Sequence, residues 1–313
     1  MSNTTIQRIA NLSRERFERE FLARGEPVIM EGGMDGWQAP AKWDFDYLKS
    51  RSGSRLLPIE HYPDGDRSGA WRHQQMTMGD YVALLSAGRH REYYLAEKPL
   101  AEVFPDLLDE VQKPAVIDPA KDCNMVVFVG RDTVTDLHFH KTKQAILAQV
   151  LGEKRVLLYP PSQTRLLYPR PWYGTKSNFS RIAISPAMDN LDKHPKFNHT
   201  QPLECMVKLG DMLFIPVHWW HAVFGDGETC SVTTFWDAAL HHWAFPTPTA
   251  RVWGGIAFNK LINSGGFVAG KRLTLSGLRA TRLLGPACLV AEKLGVVSNG
   301  RSLAARLSEQ AKS

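Results

Sequence analysis

The pattern of apolar and polar positions changes twice along the chain and divides it into three regions. In the first region, residues 13–24 carry their phenylalanines at helical spacing, and Ser13 stands in the N-cap position of that helix. Thr77 stands in the same position before a second helix, predicted to end near Leu85. Short apolar runs separate such stretches, so the pattern predicts mixed α/β structure.

The second region, residues 121–238, consists of short β-branched and aromatic runs separated by Gly, Asp and Pro turns. About eight short strands at this spacing are typical of a double-stranded β-helix, or jelly roll. Residues 160–202 interrupt it with a long insert rich in Pro, Tyr and Asn, and inserts of that length are usually functional. The predicted strands are 125–129, 133–140, 145–150, 154–159, 205–208, 212–216, 222–224 and 230–235.

In the third region, short Leu, Ala and Arg stretches are broken by Gly and Ser, which predicts two or three weakly amphipathic helices. The expected organisation is therefore mainly β with flanking helices. An α/β part covers 1–120, the jelly-roll core covers 121–238, and a helical C-terminal extension covers 239–313.

Composition narrows the class of protein. An apolar fraction of 43% with nine Trp is enough for a substantial core. The four Cys are scattered without a CxxC pair, which excludes a disulfide framework and a zinc ribbon. The first residues contain no apolar segment of a secretory signal, and no apolar run approaches the ~18 residues of a spanning helix. We therefore expect a cytoplasmic protein with no transmembrane segment.

Positive charge is concentrated at the C-terminal end. Residues 239–313 contain ten Lys and Arg against Glu292 and Glu309, a net charge of +8, whereas the whole chain carries +6. This excess of positive charge belongs either to a solvated helical face or to a docking surface for an acidic partner such as nucleic acid, anionic lipid or an acidic protein. No nucleic-acid motif is visible in the sequence.

Three histidines offer metal chemistry. His138 and His140 are spaced i,i+2, so on a strand both side chains point to one face. A later strand can bring His221 to the same place in a closed β-structure. Three converging imidazoles form a site for Fe, Co, Ni, Cu or Zn. The alternative is that each is an ordinary core or surface histidine.

Several motifs occur in an order that resembles a known family. The chain is similar to the JmjC-type, cupin-fold oxygenases that use Fe(II) and 2-oxoglutarate. It most resembles the branch of the hypoxia-inducible-factor asparaginyl hydroxylase and its bacterial cupin-like relatives. The resemblance spans roughly residues 5–238, so the α/β part belongs to the same oxygenase domain. Its motifs are Gly-Met-Asp-Gly-Trp at 33–37, Trp43, Tyr-Tyr-Leu-Ala-Glu at 93–97, Thr-Asp-Leu-His-Phe-His at 135–140, Gln-Val-Leu-Gly-Glu-Lys-Arg at 149–155, Pro-Pro at 160–161, Leu-Gly-Asp at 209–211, Trp-Trp-His at 219–221 and Phe-Trp at 235–236.

The resemblance implies roles for particular residues. His138 and His221 match the family's two metal histidines, which hold Fe(II) together with a carboxylate and leave positions open for 2-oxoglutarate and O2. Lys154 matches the lysine that binds the far carboxylate of 2-oxoglutarate, and Thr135 and Tyr94 match the hydroxyl donors. A lysine inside a barrel without an anion would be costly, which supports this role. The alternative for Lys154 is a solvent-facing strand position.

The chain departs from the family at its third metal ligand, because His140 stands where the family has Asp. Three neutral imidazoles leave more positive charge on the metal and should weaken retention of Fe(II). His140 either replaces Asp as a working ligand, or Asp136 supplies the carboxylate, or redox catalysis has been lost and a metal-binding or sensor protein remains. A further hypothesis is that the protein is an oxygenase that uses the three histidines without 2-oxoglutarate.

The expected activity is hydroxylation of a peptide, an amino acid or a natural product. We expect the substrate to be lined by Trp71, His73, Trp172, Tyr173 and Trp219. Short helices after the barrel need a partner surface. Residues 250–313 are therefore expected to pack against a second subunit in a homodimer; a monomer would favour anionic docking through the basic tail.

Overall fold

A computed structural model of the chain describes residues 6–65, 71–174, 176–184 and 191–263. The chain divides into two compact units, Met1–Val252 and Trp253–Ser313. The described part of the second unit is the end of a helix, Thr247–Asn263. Every contact discussed below lies within the first unit. In the described part of the chain, no helix is both long enough and apolar enough to cross a membrane.

Strands dominate the first unit. Eleven occur among the described residues, and they hydrogen-bond into one continuous sheet in the order β1-β2-β10-β8-β11-β6-β5-β3-β4, with β7 added beside β11 and β9 beside β8. The strands are β1 (Gln7–Ala10), β2 (Val28–Glu31), β3 (Leu56–His61), β4 (Arg72–Thr77), β5 (Tyr93–Pro99), β6 (Asn124–Arg131), β7 (Val134–His138), β8 (Lys143–Tyr159), β9 (Leu203–Val207), β10 (Met212–Ile215) and β11 (Trp220–Asp237).

Two long strands turn this sheet into a double-stranded β-helix. Residues 145–148 of β8 pair with β10, whereas residues 154–158 pair with β9. β11 likewise pairs with β7 through its first half and with β6 through its second. β8 and β11 therefore belong to both a larger and a smaller sheet, and the cupin jelly roll predicted from the sequence is confirmed.

The change of sheet falls where the pairing of β8 and β11 is interrupted, between Asp226 and Cys230. Gly152 lies opposite this irregularity with a φ of +67°. A Cβ atom on Gly152 would lie 2.2 Å from the carbonyl oxygen of Glu228, so only glycine fits there. The sequence pattern predicts separate strands at 145–150 and 154–159, and likewise at 222–224 and 230–235; in the structure each pair is one continuous strand.

Helices α1 to α5, from the N-terminal part of the chain, cover the outer face of the larger sheet. Phe17, Phe21 and Leu48 pack there against Ile146 and Phe214 in the largest buried cluster. The helices are α1 (Arg14–Phe17), continued by a π-helical turn (Glu18–Leu22), α2 (Ala39–Lys42), α3 (Phe45–Ser52), α4 (Met78–Ser86), α5 (Leu100–Val103) and α6 (Thr247–Asn263), with 3-10 turns at Pro105–Glu110, Pro161–Gln163, Leu191–Lys193, Pro195–His199 and Leu240–His242.

The two predicted N-caps are confirmed. The Ser13 hydroxyl accepts a hydrogen bond from the backbone N–H of Arg16 at 3.3 Å, and the Thr77 hydroxyl accepts one from Asp80 at 3.1 Å. Each satisfies a donor that the first turn of a helix leaves free. By contrast, β3, β4 and β5 were not predicted as strands. They extend the larger sheet, so the N-terminal part is continuous with the barrel.

The insert covers the outer face of the smaller sheet. Leu167, Ile182 and Phe197 pack there in one cluster with Leu157 and Trp220. Part of the insert also runs beside the end of β7: the N–H of Phe139 donates to Asn178 at 3.0 Å, and that of Ser180 donates to Leu137 at 2.9 Å. The insert is therefore fixed directly against the strand that carries the first histidine of the predicted site.

Candidate metal centre

Three histidines meet inside the jelly roll. His138 is the last residue of β7 and pairs across the sheet with His221 of β11. His140 lies two residues beyond the end of β7, and its ring centroid is 5.5 Å from that of His138 and 4.6 Å from that of His221. One nitrogen of each ring lies within 4.8 Å of the others. This convergence is the one expected from the i,i+2 spacing and the distant third histidine.

Backbone carbonyls orient two of the three rings. Nδ1 of His138 is 2.8 Å from the carbonyl oxygen of Asp136, and Nδ1 of His221 is 3.0 Å from that of Trp219. Because a carbonyl oxygen only accepts, each Nδ1 carries the proton and donates. Each Nε2 is then an unprotonated donor for a metal, which is the usual arrangement of metal-bound histidine.

Burial keeps the three imidazoles neutral. Desolvation lowers the pKa of His138, and it lowers the pKa of His140 to about 3 with a smaller contribution from His138. The pKa of His221 is also far below its ordinary value, first through desolvation and then through the two neighbouring rings. Neutral imidazole is the form that binds metal, so the cluster fits a transition-metal ion.

His140 differs from its two partners in its surroundings. Its Nδ1 is buried and has no hydrogen-bond partner among the described residues. The rings of His140 and Phe235 are nearly perpendicular, with centroids 5.0 Å apart. Asp136 does not belong to the group of converging donor atoms, although it lines the same pocket. The metal-donor set in the described structure is therefore three nitrogens without a carboxylate.

A buried histidine holds the loop that carries His140. His218 has a φ of +67°, and its backbone N–H donates to the carbonyl of His140 at 3.3 Å. The N–H of Ala244 donates to Nδ1 of His218 at 3.1 Å. Nε2 of His218 therefore carries the proton and donates to the carbonyl of Lys141 at 3.0 Å. The linear pattern does not indicate this role of His218, because its partners Lys141 and Ala244 are far from it in sequence.

The cluster lies in a pocket of about 390 Å³. Four other residues predicted from the sequence line the same pocket: Lys154, Thr135, Tyr94 and Trp71. The proposed ligands of the metal and of the co-substrate are thus brought together, although they come from four strands and a loop.

Lys154 faces this pocket from β8 and is only 2% exposed. Its ammonium donates to the hydroxyl of Ser231 at 2.7 Å and lies 5.5 Å from the centre of the Phe128 ring. No carboxylate in the described part of the chain pairs with it. Desolvation lowers the pKa of Lys154 to about 8. A buried cation that meets a hydroxyl and an aromatic ring, without a carboxylate, is suited to bind an anion.

Other predicted residues lie elsewhere. His73 is exposed beside Trp71, with ring centroids 4.9 Å apart, and its Nε2 is 2.9 Å from the Lys98 ammonium. Trp172 and Tyr173 contact each other in the insert, and neither lines the histidine pocket. Trp219 lines a second pocket of about 410 Å³, and its indole donates to the carbonyl of Gly25 at 2.7 Å.

The structure adds pocket residues that the sequence pattern does not indicate. Phe179 stacks on His138, with ring centroids 5.1 Å apart and an interplanar angle of 17°. Glu60 of β3 and Glu97 of β5 also line the pocket. Glu97 was noted only as part of a motif, and the position of Phe179 depends on how the insert folds back, which no local pattern shows.

Comparison with known proteins agrees with this architecture. Residues 14–242 match the cupin-like domain family. "Lysine-specific demethylase 8" of Xenopus tropicalis is 29% identical over 75% of this chain and 54% of its own length. "Lysine-specific demethylase JMJ30" of Arabidopsis thaliana is 30% identical over 74% of this chain and 54% of its own. "tRNA wybutosine-synthesizing protein 5" of Gallus gallus is 28% identical over 74% of this chain and 76% of its own.

The chain thus spans about half the length of the two demethylases it matches. The nearer likeness to the asparaginyl hydroxylase branch stays a prediction. The match covers the jelly roll, the N-terminal strands and the three-histidine cluster together. By this match and by its fold, the chain belongs to the cupin-like domain family, as its resemblance to JmjC-type cupin proteins predicted.

Proposed function

We propose that the protein is an Fe(II)- and 2-oxoglutarate-dependent oxygenase with a three-histidine metal centre. The observation that carries this proposal is the convergence of His138, His140 and His221 in one pocket with the buried Lys154. The cluster supplies metal donors, and the lysine supplies a cation for an anionic co-substrate. Fold and family agree with an enzyme of this type.

The three histidines would hold Fe(II) through their unprotonated ring nitrogens. Bound iron supplies the one-electron and O2 chemistry that protein side chains lack. The protein's own part is to fix the rings through Asp136 and Trp219, and to keep them neutral by burial. Three protein ligands leave open positions for a chelating co-substrate and O2.

Lys154, with Thr135 and Tyr94, would bind the far carboxylate of 2-oxoglutarate. A carboxylate at this place would accept from the ammonium and would supply the countercharge that Lys154 otherwise lacks in the described structure. All three residues line the pocket that contains the histidines. One dicarboxylate could therefore reach both the lysine and the metal.

The substrate would be a peptide, an amino acid or a natural product entering beside Trp71. Two relatives are named as lysine-specific demethylases and a third as a tRNA-modifying enzyme, so family membership alone leaves the substrate open. A cytoplasmic homodimer through the C-terminal extension remains part of the proposal. Residues 264–313, which carry most of that extension, lie outside the described residues.

One observation favours a second function. His140 replaces a carboxylate, and a set of three neutral nitrogens binds Zn and other late metals well. The protein would then be a non-catalytic metal-binding or sensor protein. A third interpretation of the same cluster is an oxygenase that uses the three histidines without 2-oxoglutarate.

An anaerobic spectrum separates these functions. Fe(II) is added to the full chain without O2, and 2-oxoglutarate is then titrated in. We expect a weak visible charge-transfer band that appears with wild type and is missing in His221→Ala. His199→Ala, an exposed histidine, is the matched control and should keep the band. Tight Zn binding with no band from Fe(II) and 2-oxoglutarate would overturn the proposal in favour of the metal-binding protein.

A further inference from the structure

The three histidines of the metal centre are not held in the same way. His138 and His221 pair with each other across the sheet, and each donates from Nδ1 to a backbone carbonyl. His140 lies beyond the end of β7, and its buried Nδ1 has no hydrogen-bond partner among the described residues. Within that part of the chain, the orientation of His140 is thus fixed neither by strand pairing nor by a hydrogen bond of its Nδ1.

The backbone next to His140 is held by His218 instead. The backbone N–H of His218 donates to the carbonyl of His140 at 3.3 Å, and its Nε2 donates to the carbonyl of Lys141 at 3.0 Å. Two successive carbonyls of the loop therefore accept hydrogen bonds from one residue. Because each residue has only two soft backbone dihedrals, these bonds restrict the backbone on the C-terminal side of His140.

The imidazole of His218 has a single orientation in this position. The residue is completely buried, with 0% of its surface exposed. Its Nδ1 accepts from the N–H of Ala244 at 3.1 Å, so both ring nitrogens have partners. The rings of Phe139 and Trp243 lie at steep angles to it, with centroids 5.8 Å and 5.3 Å away. A buried polar group whose hydrogen bonds are all satisfied makes its surroundings rigid.

The turn that carries His218 is anchored on both sides. The backbone N–H of Val217 donates to the side-chain oxygen of Gln144 at 2.8 Å, and the indole of Trp219 donates to the carbonyl of Gly25 at 2.7 Å. His218 has a φ of +67°, which residues other than glycine rarely adopt and which persists where the surrounding contacts enforce it. The turn is therefore a fixed support for the loop that carries the third metal ligand.

We propose that His218 is a positioning residue for the metal ligand His140. Its two hydrogen bonds to the loop do for His140 what the carbonyls of Asp136 and Trp219 do for the other two rings. This inference rests on the proposed function, since it concerns the metal centre of the same pocket. Without the His218 imidazole, the site would keep two oriented histidines and a third that is free to turn away.

Three substitutions separate the side chain of His218 from its backbone. His218→Gly removes the imidazole, keeps the N–H and adopts the positive φ without steric cost. His218→Asn also tolerates this φ but is too short to reach Lys141, so it carries the same prediction if the glycine variant does not fold. His218→Gln keeps one donor and one acceptor and is the conservative variant. His61→Gly is the matched control, because it removes another buried imidazole that does not line the pocket.

Co(II) is titrated into each full-length protein, and the visible spectrum is recorded. His218→Gly should bind Co(II) about tenfold to a hundredfold more weakly and show a changed spectrum, because partners that orient metal ligands contribute this much to affinity. His218→Gln should recover part of the affinity, and His61→Gly should keep the wild-type spectrum even where it lowers thermal stability. An unchanged affinity and spectrum in His218→Gly, or an equal change in His61→Gly, would overturn the proposal and leave the metal centre in place.

A second measurement needs no metal. In metal-free protein with ¹⁵N-labelled histidine, His218→Gly should move or broaden the ring signals of His140 by NMR. His138 and His221 should keep their Nδ1-protonated form, because each retains its carbonyl partner. Equal changes at all three rings, or none, would overturn the proposal. Should the wild-type protein bind no Co(II), the proposed metal centre fails, and these ring signals decide by themselves whether His218 positions His140.

Discussion

The two ends of the histidine pocket are built in different ways. The inner end comprises His138, His221 and Lys154, which come from β7, β11 and β8 of the regular barrel. The mouth comprises Glu60 and Glu97, from strands outside the predicted jelly roll, one of them bulged. The positions of the side chains at the inner end follow from the alternation of side chains along regular strands. The position of Glu97 at the mouth depends on the register shift in β5.

The electrostatic character of the two ends also differs. Burial lowers the pKa of the three histidines and of Lys154 at the inner end, so the imidazoles are neutral and Lys154 has a pKa of about 8. Burial raises the pKa of Glu97 at the mouth. The regular strands thus bring the three histidines and Lys154 together, and the irregular strand places a carboxylate at the mouth of the same pocket.

The strongest test removes a metal ligand at the inner end. His221→Ala should abolish metal binding, because only three protein donors converge in the described structure. Titration with Co(II), followed by its visible spectrum, measures this directly. His199→Ala is the matched control. Retention of metal by His221→Ala at wild-type affinity would show that the ion sits elsewhere.

The next test removes the cation from the inner end. Lys154→Ala should weaken 2-oxoglutarate binding by about tenfold to a hundredfold, since a charge-assisted hydrogen bond is lost. Calorimetry on the Zn(II)-loaded protein gives the affinity. Lys143→Ala, on an exposed lysine paired with Asp237, should leave it unchanged. An unaltered affinity in Lys154→Ala would place 2-oxoglutarate elsewhere.

Restoring the family's carboxylate tests whether the neutral donor set is essential. His140→Asp should tighten Fe(II) binding at neutral pH by about tenfold, because an anion replaces a neutral donor. Turnover of 2-oxoglutarate uncoupled from substrate should appear or rise, which succinate release measures. Loss of both metal binding and turnover would show that the site requires a histidine at position 140 and that the exchange of Asp for His is not a simple loss.

The pKa of Lys154 makes co-substrate binding depend on pH. The ammonium is charged below about pH 8, so affinity for 2-oxoglutarate should be constant there and fall as pH rises through 8. The fall should approach about tenfold per pH unit, as for any single deprotonation. Calorimetry between pH 7 and about 9.5 would follow it. Lys154→Arg should bind without this decline, because guanidinium stays protonated.

The smallest expected effect concerns the strained mouth. Glu97→Gly should stabilise the fold by roughly 0.5–1 kcal/mol, because glycine adopts a φ of +50° without steric cost. Urea unfolding measures the change in the free energy of unfolding. A decrease in stability would mean that the Glu97 side chain makes a stabilising contact.

Much of the inner end could be predicted from the sequence. Strand periodicity places His138 and His140 on one face, and His221 follows a strand of the same barrel. The N-caps at Ser13 and Thr77 are equally local, since each needs only a hydroxyl before an amphipathic stretch. The roles of Lys154, Thr135 and Tyr94 remain predictions, although all three line the pocket.

What the sequence could not show depends on contacts between distant segments. Trp219 was expected near the substrate, but its indole bonds the carbonyl of Gly25, almost two hundred residues away. Phe179 reaches His138 only because the insert runs back along β7.

The amino-acid sequence by itself determined the jelly roll, the three metal donors and the departure from the usual carboxylate. The jelly roll follows from the run of short strands and the pairing of His138 with His140 from their i,i+2 spacing, whereas the part of His221 and the missing carboxylate follow from the family motifs. The tertiary structure decided which residues form the mouth of the pocket, because pairing of β3 with β5 and the turn of the insert bring together residues with no common local pattern. Interactions within a strand can be read from neighbours, whereas packing between segments is fixed only when the whole chain folds.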